Sequence, residues 1–192
     1  MATKNIMIVG VGGQGSLLAS RILGNAVMLS GYDVKVSEVH GMSQRGGSVV
    51  TYVKYGDKVA SPVICKGEAD IIMSFELLEA ARWLPFLKKD GVVITNTQQI
   101  NPMPVVTGAA EYPAELVSKM KAAGANVIAA DALAIAREAG SEKAVNVALI
   151  GLMANALGFD TQILHEAIRM SVPEKFLELN MKAFALGAAH KA

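Results

Sequence analysis

The residues of this chain that could do chemistry cluster in two glycine-rich segments. The first covers positions 10–15 and reads Gly-Val-Gly-Gly-Gln-Gly, directly after a short apolar run at 6–9. The second covers positions 37–48 and reads Ser-Glu-Val-His-Gly-Met-Ser-Gln-Arg-Gly-Gly-Ser. Glycine lets a backbone turn tightly and approach a ligand closely, and the free amides at a helix N-terminus attract anions. The two segments therefore predict a surface for a phosphate, a carboxylate or a nucleotide.

In the first segment, Gly10, Gly12 and Gly15 match the G-x-G-x-x-G pattern that follows a strand and opens a helix in nucleotide-binding folds. Glu38, near the end of the next strand, is placed where a carboxylate could bind a ribose hydroxyl. The alternative is that the glycines only allow the strand, the turn and the helix to pack. The side chain of Gln14 within the loop and the separate chemistry that follows Glu38 count against a dinucleotide site. An NAD(P)-binding protein is therefore the alternative interpretation rather than the favoured one.

The second segment adds a cation and a proton carrier. Arg45 carries a permanent charge that can bind a carboxylate or a phosphate through two parallel hydrogen bonds. His40 can donate a hydrogen bond or carry a proton near neutral pH. The alternative is that Gln44 and Arg45 tie down the loop or pair with another subunit. The candidate catalytic residues are His40 and Arg45, and the candidate cofactor-binding residues are Gly10, Gly12, Gly13, Gln14, Gly15, Ser43, Gln44, Gly46 and Gly47.

The hydrophobic pattern predicts a single α/β domain over residues 1–192, in which both glycine segments leave the same edge of a sheet. The fold class is a Rossmann-like three-layer α/β/α arrangement, with a mostly parallel sheet, an antiparallel hairpin and C-terminal helices. Predicted strands are 6–9, 34–39, 48–55, 69–74, 91–95 and 126–129, with 58–63 as a hairpin partner of 48–55. Predicted helices are 16–30, 76–87, 113–123, 131–139, 143–157, 161–170 and 173–186, with Pro113 in a first turn and Asp131 and Thr161 as caps.

Composition narrows the function classes. The chain has 192 residues, of which 52% are hydrophobic and only 5% aromatic, so the core must be aliphatic. The formal net charge of +1 predicts neither nucleic acid nor an anionic membrane as a partner. The single cysteine, Cys65, excludes a disulfide within the chain and the roughly four thiolates of an iron–sulfur cluster. No run reaches the roughly 20 apolar residues of a membrane helix, so we expect a cytoplasmic protein.

These segments together resemble the gamma-type subunit or domain of 2-oxoacid:ferredoxin oxidoreductases, and most strongly the beta subunit of the indolepyruvate type. The resemblance spans nearly the whole chain. It is carried by the stretches at 10–15, 37–47, 61–62, 67–70, 146–151 and 172–173, and by Asn180.

The resemblance implies a complex that oxidatively decarboxylates a 2-oxoacid, an aryl pyruvate in the indolepyruvate type, to acyl-CoA and CO2. Thiamine diphosphate with Mg²⁺, iron–sulfur clusters and coenzyme A serve that reaction in the family. This chain lacks the family's thiamine–magnesium signature of Gly-Asp-Gly followed by paired asparagines. The resemblance therefore implies that no cofactor or metal is bound by this chain alone, and that a large catalytic subunit carries them and passes electrons to ferredoxin.

Under this interpretation the chain is inactive alone, covers the partner's thiamine site and turns Arg45 toward an anionic group. The alternatives are an NAD(P)-binding Rossmann protein and a noncatalytic assembly module. In isolation we expect a homodimer, since removal of the partner would leave apolar surface exposed.

Overall fold

The computed structural model describes residues 1–41 and 46–190, and within them six strands form one sheet. The strands are β1 (Lys4–Val11), β2 (Asp33–His40), β3 (Ser48–Gly56), β4 (Ala69–Ser74), β5 (Leu87–Asn96) and β6 (Asn126–Ala130). The helices are α1 (Ser16–Leu29), α2 (Leu77–Trp83), α3 (Met103–Val106), α4 (Leu116–Ala122), α5 (Ala132–Ala139), α6 (Val145–Leu157), α7 (Thr161–Ser171) and α8 (Leu177–Ala189).

The strand order is β2-β3-β1-β4-β5-β6. Strand β3 runs antiparallel to both of its neighbours, β1 and β2, whereas β1, β4, β5 and β6 pair in parallel. Strands β1 and β2 therefore point the same way with β3 inserted between them. Because their carboxyl ends lie at one edge, that edge carries both glycine segments, as the sequence predicts.

The alternation of side chains along β1 divides the core into two layers. Ile6 and Ile8 face one side of the sheet and pack with α1, α5, α6, α7 and α8. Met7 and Val9 face the other side and pack with α2 and α4. These are the three layers expected for a sheet whose central strands are apolar on both faces, and the predicted fold class is confirmed.

The backbones of α6 and α8 touch where the two helices cross, because a glycine on each helix faces the other helix. A Cβ on Gly151 would lie 2.3 Å from the carbonyl oxygen of Phe184, and one on Gly187 would lie 2.2 Å from that of Ala148. Real side chains never approach so closely, so this crossing requires glycine on both helices. It fixes the C-terminal helices against the sheet face that supports α1.

The predicted hairpin partner at 58–63 is wrong. Residues 57–63 contain no strand, and the antiparallel partners of β3 are β1 and β2. Both edges of β3 are therefore already paired, so no edge is left for a third strand. Val59 of this segment is nevertheless buried, and its amide donates to Asp33 Oδ2 at 2.8 Å, so this residue serves packing rather than strand pairing.

Three predicted helix boundaries and one predicted cap differ most from the structure. The helix predicted at 76–87 ends at Trp83, since Pro85 lacks the amide hydrogen that would continue it, and β5 begins at Leu87. Pro113 precedes α4 instead of lying in its first turn, because Glu115 adopts a left-handed backbone with φ 57° directly before the helix.

The other two differences concern caps and starts. Asp131 caps α5 as predicted, its carboxylate accepting from the amide of Ala134 at 2.9 Å. The cap of α7, however, is Asp160, which accepts from the amide of Gln162 at 2.8 Å, and Thr161 is already helical. Helix α8 begins at Leu177, after a single turn of 3-10 helix at Glu174–Phe176, and not at Pro173.

Candidate functional site

The first glycine segment forms the turn between β1 and α1. Gly13 and Gly15 have φ values of 98° and 95°, a left-handed backbone that strongly favours glycine. Gly15 caps α1 and has no side chain that could bond the free amides of that helix's first turn. The segment therefore presents the amide end of a 14-residue helix at the sheet edge.

The side chain of Gln14 folds back and closes this turn. Its Oε1 accepts from the amide of Val11 at 2.7 Å, and its Nε2 donates to the carbonyl oxygen of Phe75 at 3.3 Å and to Gln98 Oε1 at 3.2 Å. A Cβ on Gly10 would lie 2.8 Å from Gln14 Oε1 and 3.0 Å from Phe75 Cβ, so the glycine makes room for this bridge. Gln14 thus has an internal role, and its contact with a cofactor stays a prediction.

The two glycine segments are joined by a backbone hydrogen bond. The amide of Gly12 donates to the carbonyl oxygen of Gly47 at 2.9 Å, just beyond the last β1–β3 pair, Val11 with Ser48. The predicted juxtaposition of the segments is therefore present in the fold. Gly46 has a φ of 75°, again a left-handed backbone.

Glu38 holds the end of β2 against α1. Its Oε2 accepts from Ser16 Oγ and from Thr51 Oγ1, each at 3.0 Å. In a dinucleotide-binding sheet the second strand lies beside the first, whereas here β3 separates β2 from β1. This strand order and the internal bonds of Glu38 weaken the NAD(P) alternative, because the carboxylate already has partners and lies one strand further from the glycine turn.

Two clefts flank the first glycine segment. The first, of about 350 Å³, is lined by Gly13, Ser16, Leu17, Glu38, His40 and Val49. The second, of about 430 Å³, is lined by Gly13, Gln14, Phe75, Gln98, Glu142 and Lys143. It lies between the carboxyl ends of β1 and β4, where the helices that follow leave for opposite faces of the sheet. In open α/β sheets ligands bind at such a switch point.

The predicted residues of the second segment are placed only in part. His40 ends β2 in an exposed position, with Nδ1 3.2 Å from the carbonyl oxygen of Gly41, and it lines the first cleft. Ser43, Gln44 and Arg45 lie outside the described residues. The structure therefore brings His40, Gly46 and Gly47 to the edge that carries the first glycine segment.

Sequence reasoning missed two buried carboxylates that support this edge. Glu79 is 5% exposed; it accepts from Ser48 Oγ at 2.5 Å, from Arg82 Nε at 2.9 Å and from Trp83 Nε1 at 3.3 Å. Because Ser48 directly follows Gly47, Glu79 fixes the end of the second segment from the α2 face. The available signal was a pair of glutamates, Glu76 and Glu79, at the start of a predicted helix, because the positive end of the helix dipole favours carboxylates there.

The other missed carboxylate is Glu76, which is 1% exposed and caps α2 through the amide of Glu79 at 2.8 Å. Its Oε1 accepts from the hydroxyl of Tyr112 at 2.5 Å. Burial, together with this bond to a carboxylate, raises the pKa of the Tyr112 hydroxyl well above its usual range.

Asn146, the first residue of one of the stretches that carry the family resemblance, supports the same turn. It is 4% exposed, its Oδ1 accepts from the amide of Val147, and its Nδ2 lies 3.1 Å from where a Cβ on Gly15 would be. Helix α6 thus presses an amide side chain against Gly15.

Within the described part of the chain, no three His, Cys, Asp or Glu side chains converge as metal ligands. None of the helices described is long and apolar enough to cross a membrane. Among the described residues, this edge offers a ligand backbone amides, the helix N-terminus, the imidazole of His40, the carboxylates of Glu38 and Glu142 and the ammonium group of Lys143.

Comparison with known proteins agrees with this architecture. Residues 5–190 match the family described as pyruvate ferredoxin/flavodoxin oxidoreductase, and the chain belongs to that family. It is 47% identical over 192 residues to the indolepyruvate oxidoreductase subunit IorB of Pyrococcus horikoshii, which covers 97% of this chain and 95% of that protein. The resemblance noted from the glycine segments is therefore confirmed.

Two further relatives show the same fold and a longer polypeptide that contains this domain. The structure of the gamma subunit of a keto/oxoacid ferredoxin oxidoreductase from Geobacter sulfurreducens superposes with a TM-score of 0.72 at 24% identity, over 96% of this chain and 95% of that one. The ketoisovalerate oxidoreductase subunit VorA of Methanothermobacter marburgensis is 27% identical over 188 residues. That match covers 95% of this chain but only 35% of VorA, so there the domain is part of a longer polypeptide.

Proposed function

We propose that this chain is the gamma-type subunit of a 2-oxoacid:ferredoxin oxidoreductase that acts on aryl pyruvates such as indolepyruvate. The observation that carries the proposal is the joined pair of glycine segments, linked through Gly12 and Gly47 at one sheet edge. The identity of 47% to an indolepyruvate oxidoreductase subunit supports the choice of substrate class.

In this proposal a large partner chain carries the thiamine diphosphate, Mg²⁺ and iron–sulfur clusters, and passes electrons to ferredoxin. When bound there, thiamine diphosphate supplies the carbon nucleophile for decarboxylation, and coenzyme A takes the acyl group. The contribution of this chain is a rigid, polar lid over that centre. Its glycine-rich backbone can approach a cofactor closely because no side chain intervenes at Gly13 or Gly46, where a Cβ would meet nothing within 4 Å.

Individual residues have separate roles in the proposal. The amides of the first α1 turn and the guanidinium of Arg45 bind an anionic group of the substrate or of coenzyme A. His40 donates a hydrogen bond from the rim of the first cleft, and Ser43 and Gln44 add polar contacts beside it. Glu38 and Glu79 act as positioning residues, since each holds one end of the second segment through a serine hydroxyl.

The test is reconstitution of turnover from separately purified chains. We expect the large chain to oxidise indolepyruvate with ferredoxin and coenzyme A only when this chain is added. Activity of the large chain alone at the full rate would show that this chain is an assembly module. Replacement of Arg45 by Ala should lower turnover at least tenfold in the assembled complex, and unchanged assembly and turnover would contradict its assigned role.

A matched pair of variants tests whether the glycine edge is the functional one. Leu17 lines the first cleft and Leu29 lies at the other end of α1; both are exposed. Leu17→Trp fills the cleft beside the glycine turn and should lower turnover at least tenfold, whereas Leu29→Trp should leave it within twofold of the original chain. Equal turnover of the two variants would place the working surface elsewhere.

A further inference from the structure

The connection between β5 and α4, residues 97–115, forms an exposed strap with an apolar tip. It contains α3, on which Met103 is 68% and Val106 is 64% exposed. These are the most exposed large apolar side chains in the part of the chain that the structure describes. Apart from the single turn of α3 it has no regular structure, and irregular connections of this length are uncommon in compact domains and often functional.

The strap is anchored at both ends by one buried carboxylate. Glu76 Oε1 accepts from the amide of Ile100 at 3.1 Å and from the hydroxyl of Tyr112 at 2.5 Å. The Tyr112 oxygen also accepts from the amide of Leu78 at 3.0 Å. A carboxylate that is 1% exposed and bonded to both ends of a surface loop fixes that loop against the start of α2.

The tip itself is ordered by its own backbone bonds. The amides of Val106 and Thr107 donate to the carbonyl oxygens of Pro102 and Met103 at 3.0 and 2.9 Å. The apolar side chains of α3 are therefore held outward on a rigid turn and do not fold onto the core. Such a preorganised apolar projection loses little conformational freedom when it is covered.

The strap continues the edge at which the glycine segments lie. Gln98, near its start, receives a hydrogen bond from Gln14 Nε2 at 3.2 Å and lines the second cleft. The carbonyl oxygen of Gln98 also accepts from the amide of Leu77 at 3.0 Å. A partner protein that covers the glycine edge would therefore also contact the strap.

Charge indicates what kind of surface would receive the strap. Residues 97–115 include the acidic Glu111 and Glu115 but neither Lys nor Arg. These two carboxylates follow the apolar tip along the chain, and such a segment would fit an apolar recess with a basic rim. In VorA, where the matched domain is 35% of the polypeptide, the remainder of the chain is available to supply such a surface.

We propose that the 97–115 strap docks through Met103 and Val106 into an apolar, basic-rimmed recess of the partner chain that carries the catalytic cofactors. This inference rests on the proposed function, because that function supplies the partner. The strap then sets how closely the glycine edge approaches the partner's centre.

The experiment measures the affinity of the full chain for the purified large chain by sedimentation or biolayer interferometry. The variant is Met103→Asp with Val106→Asp; both positions are exposed, so the melting temperature should stay unchanged. The matched control is Met170→Asp, at a side chain that is 56% exposed on α7, far along the chain from the strap. We expect the dissociation constant to rise at least tenfold for the double variant and to stay within twofold for the control.

The outcomes separate this inference from the proposed function. If the original chain binds the large chain and the double variant binds within twofold of it, the strap is not the docking element, although the proposed function stands. If the control weakens binding equally, the effect is not specific to the strap and the inference is wrong. If the double variant abolishes self-association while binding the partner normally, the occupant is a second copy and the inference is overturned. If the original chain does not bind at all, the proposed function fails first.

Discussion

Replacement of Gln14 by Met tests whether the glycine turn is held together from within. Methionine matches the length of glutamine but forms none of the three hydrogen bonds that Gln14 makes to Val11, Phe75 and Gln98. A typical net contribution is about 0.5–1.5 kcal/mol per bond, and the 2.7 Å bond to the Val11 amide should account for most of the effect. The carbonyl oxygen of Phe75 keeps a donor, Asn96 Nδ2 at 3.2 Å, so its loss costs little.

Loss of the three hydrogen bonds together should lower the free energy of unfolding by about 2 kcal/mol. For a chain of this size, each kcal/mol shifts the melting temperature by roughly 2–4 °C, so the expected decrease is roughly 4–8 °C. The assay is urea and thermal denaturation of the isolated chain followed by circular dichroism. The control is Gln99→Met, since Gln99 is an exposed glutamine in the same connection and its replacement should change the free energy by less than about 0.5 kcal/mol.

Two results would refute this reasoning. A Gln14→Met chain as stable as the Gln99→Met control would show that the bridge contributes nothing to the turn. Unchanged stability combined with a large fall in turnover of the assembled complex would assign Gln14 to cofactor contact instead of internal support.

Three other predictions concern stability. Gly187→Ala should destabilise the chain by about 2 kcal/mol or more in urea denaturation, because its Cβ would lie 2.2 Å from the Ala148 carbonyl oxygen; an unchanged midpoint would mean that α6 and α8 do not touch there. Asp160→Ala should lower the free energy of unfolding by about 1 kcal/mol because α7 loses its cap, and Thr161→Ala should lower it by less than about 0.5 kcal/mol. A larger effect of Thr161→Ala would mean that Thr161 is the cap, as the sequence predicts. Burial raises the pKa of Tyr55 from 10.0 to about 12, so the folded chain keeps a proton that the unfolded chain releases. Stability should therefore fall as the pH rises from 10 to 12, and Tyr55→Phe should remove that part of the fall in a pH series of melts.

The sequence was sufficient for the layers and for most of the elements, because apolar runs are local signals. The strand at 69–74 and the cap at Asp131 were predicted as they occur. The insertion of β3 between β1 and β2 could not be predicted, since periodicity shows that a segment is a strand but not which edge it pairs with. The error at 58–63 has the same cause. Val59 is apolar and buried like a strand residue, but it lies in irregular structure, where its amide bonds Asp33.

For the site, sequence reasoning predicted that the two glycine segments share an edge, which the bond between Gly12 and Gly47 confirms. It could not predict that Gln14 folds back onto Val11, because only the three-dimensional turn brings that side chain to that amide. Nor could it predict the supports from Glu76 and Glu79, whose partners Tyr112 and Ser48 lie more than thirty residues away.

The most direct test of the central claim is a cryo-electron microscopy structure of the chain bound to its thiamine-carrying partner. The account predicts that the edge with Gly12, Gly47 and His40 faces the partner's cofactor, with the 97–115 strap seated in the same interface. An interface formed instead by the opposite edge of the sheet, where Lys4 and Lys88 pair with Asp70, would contradict it.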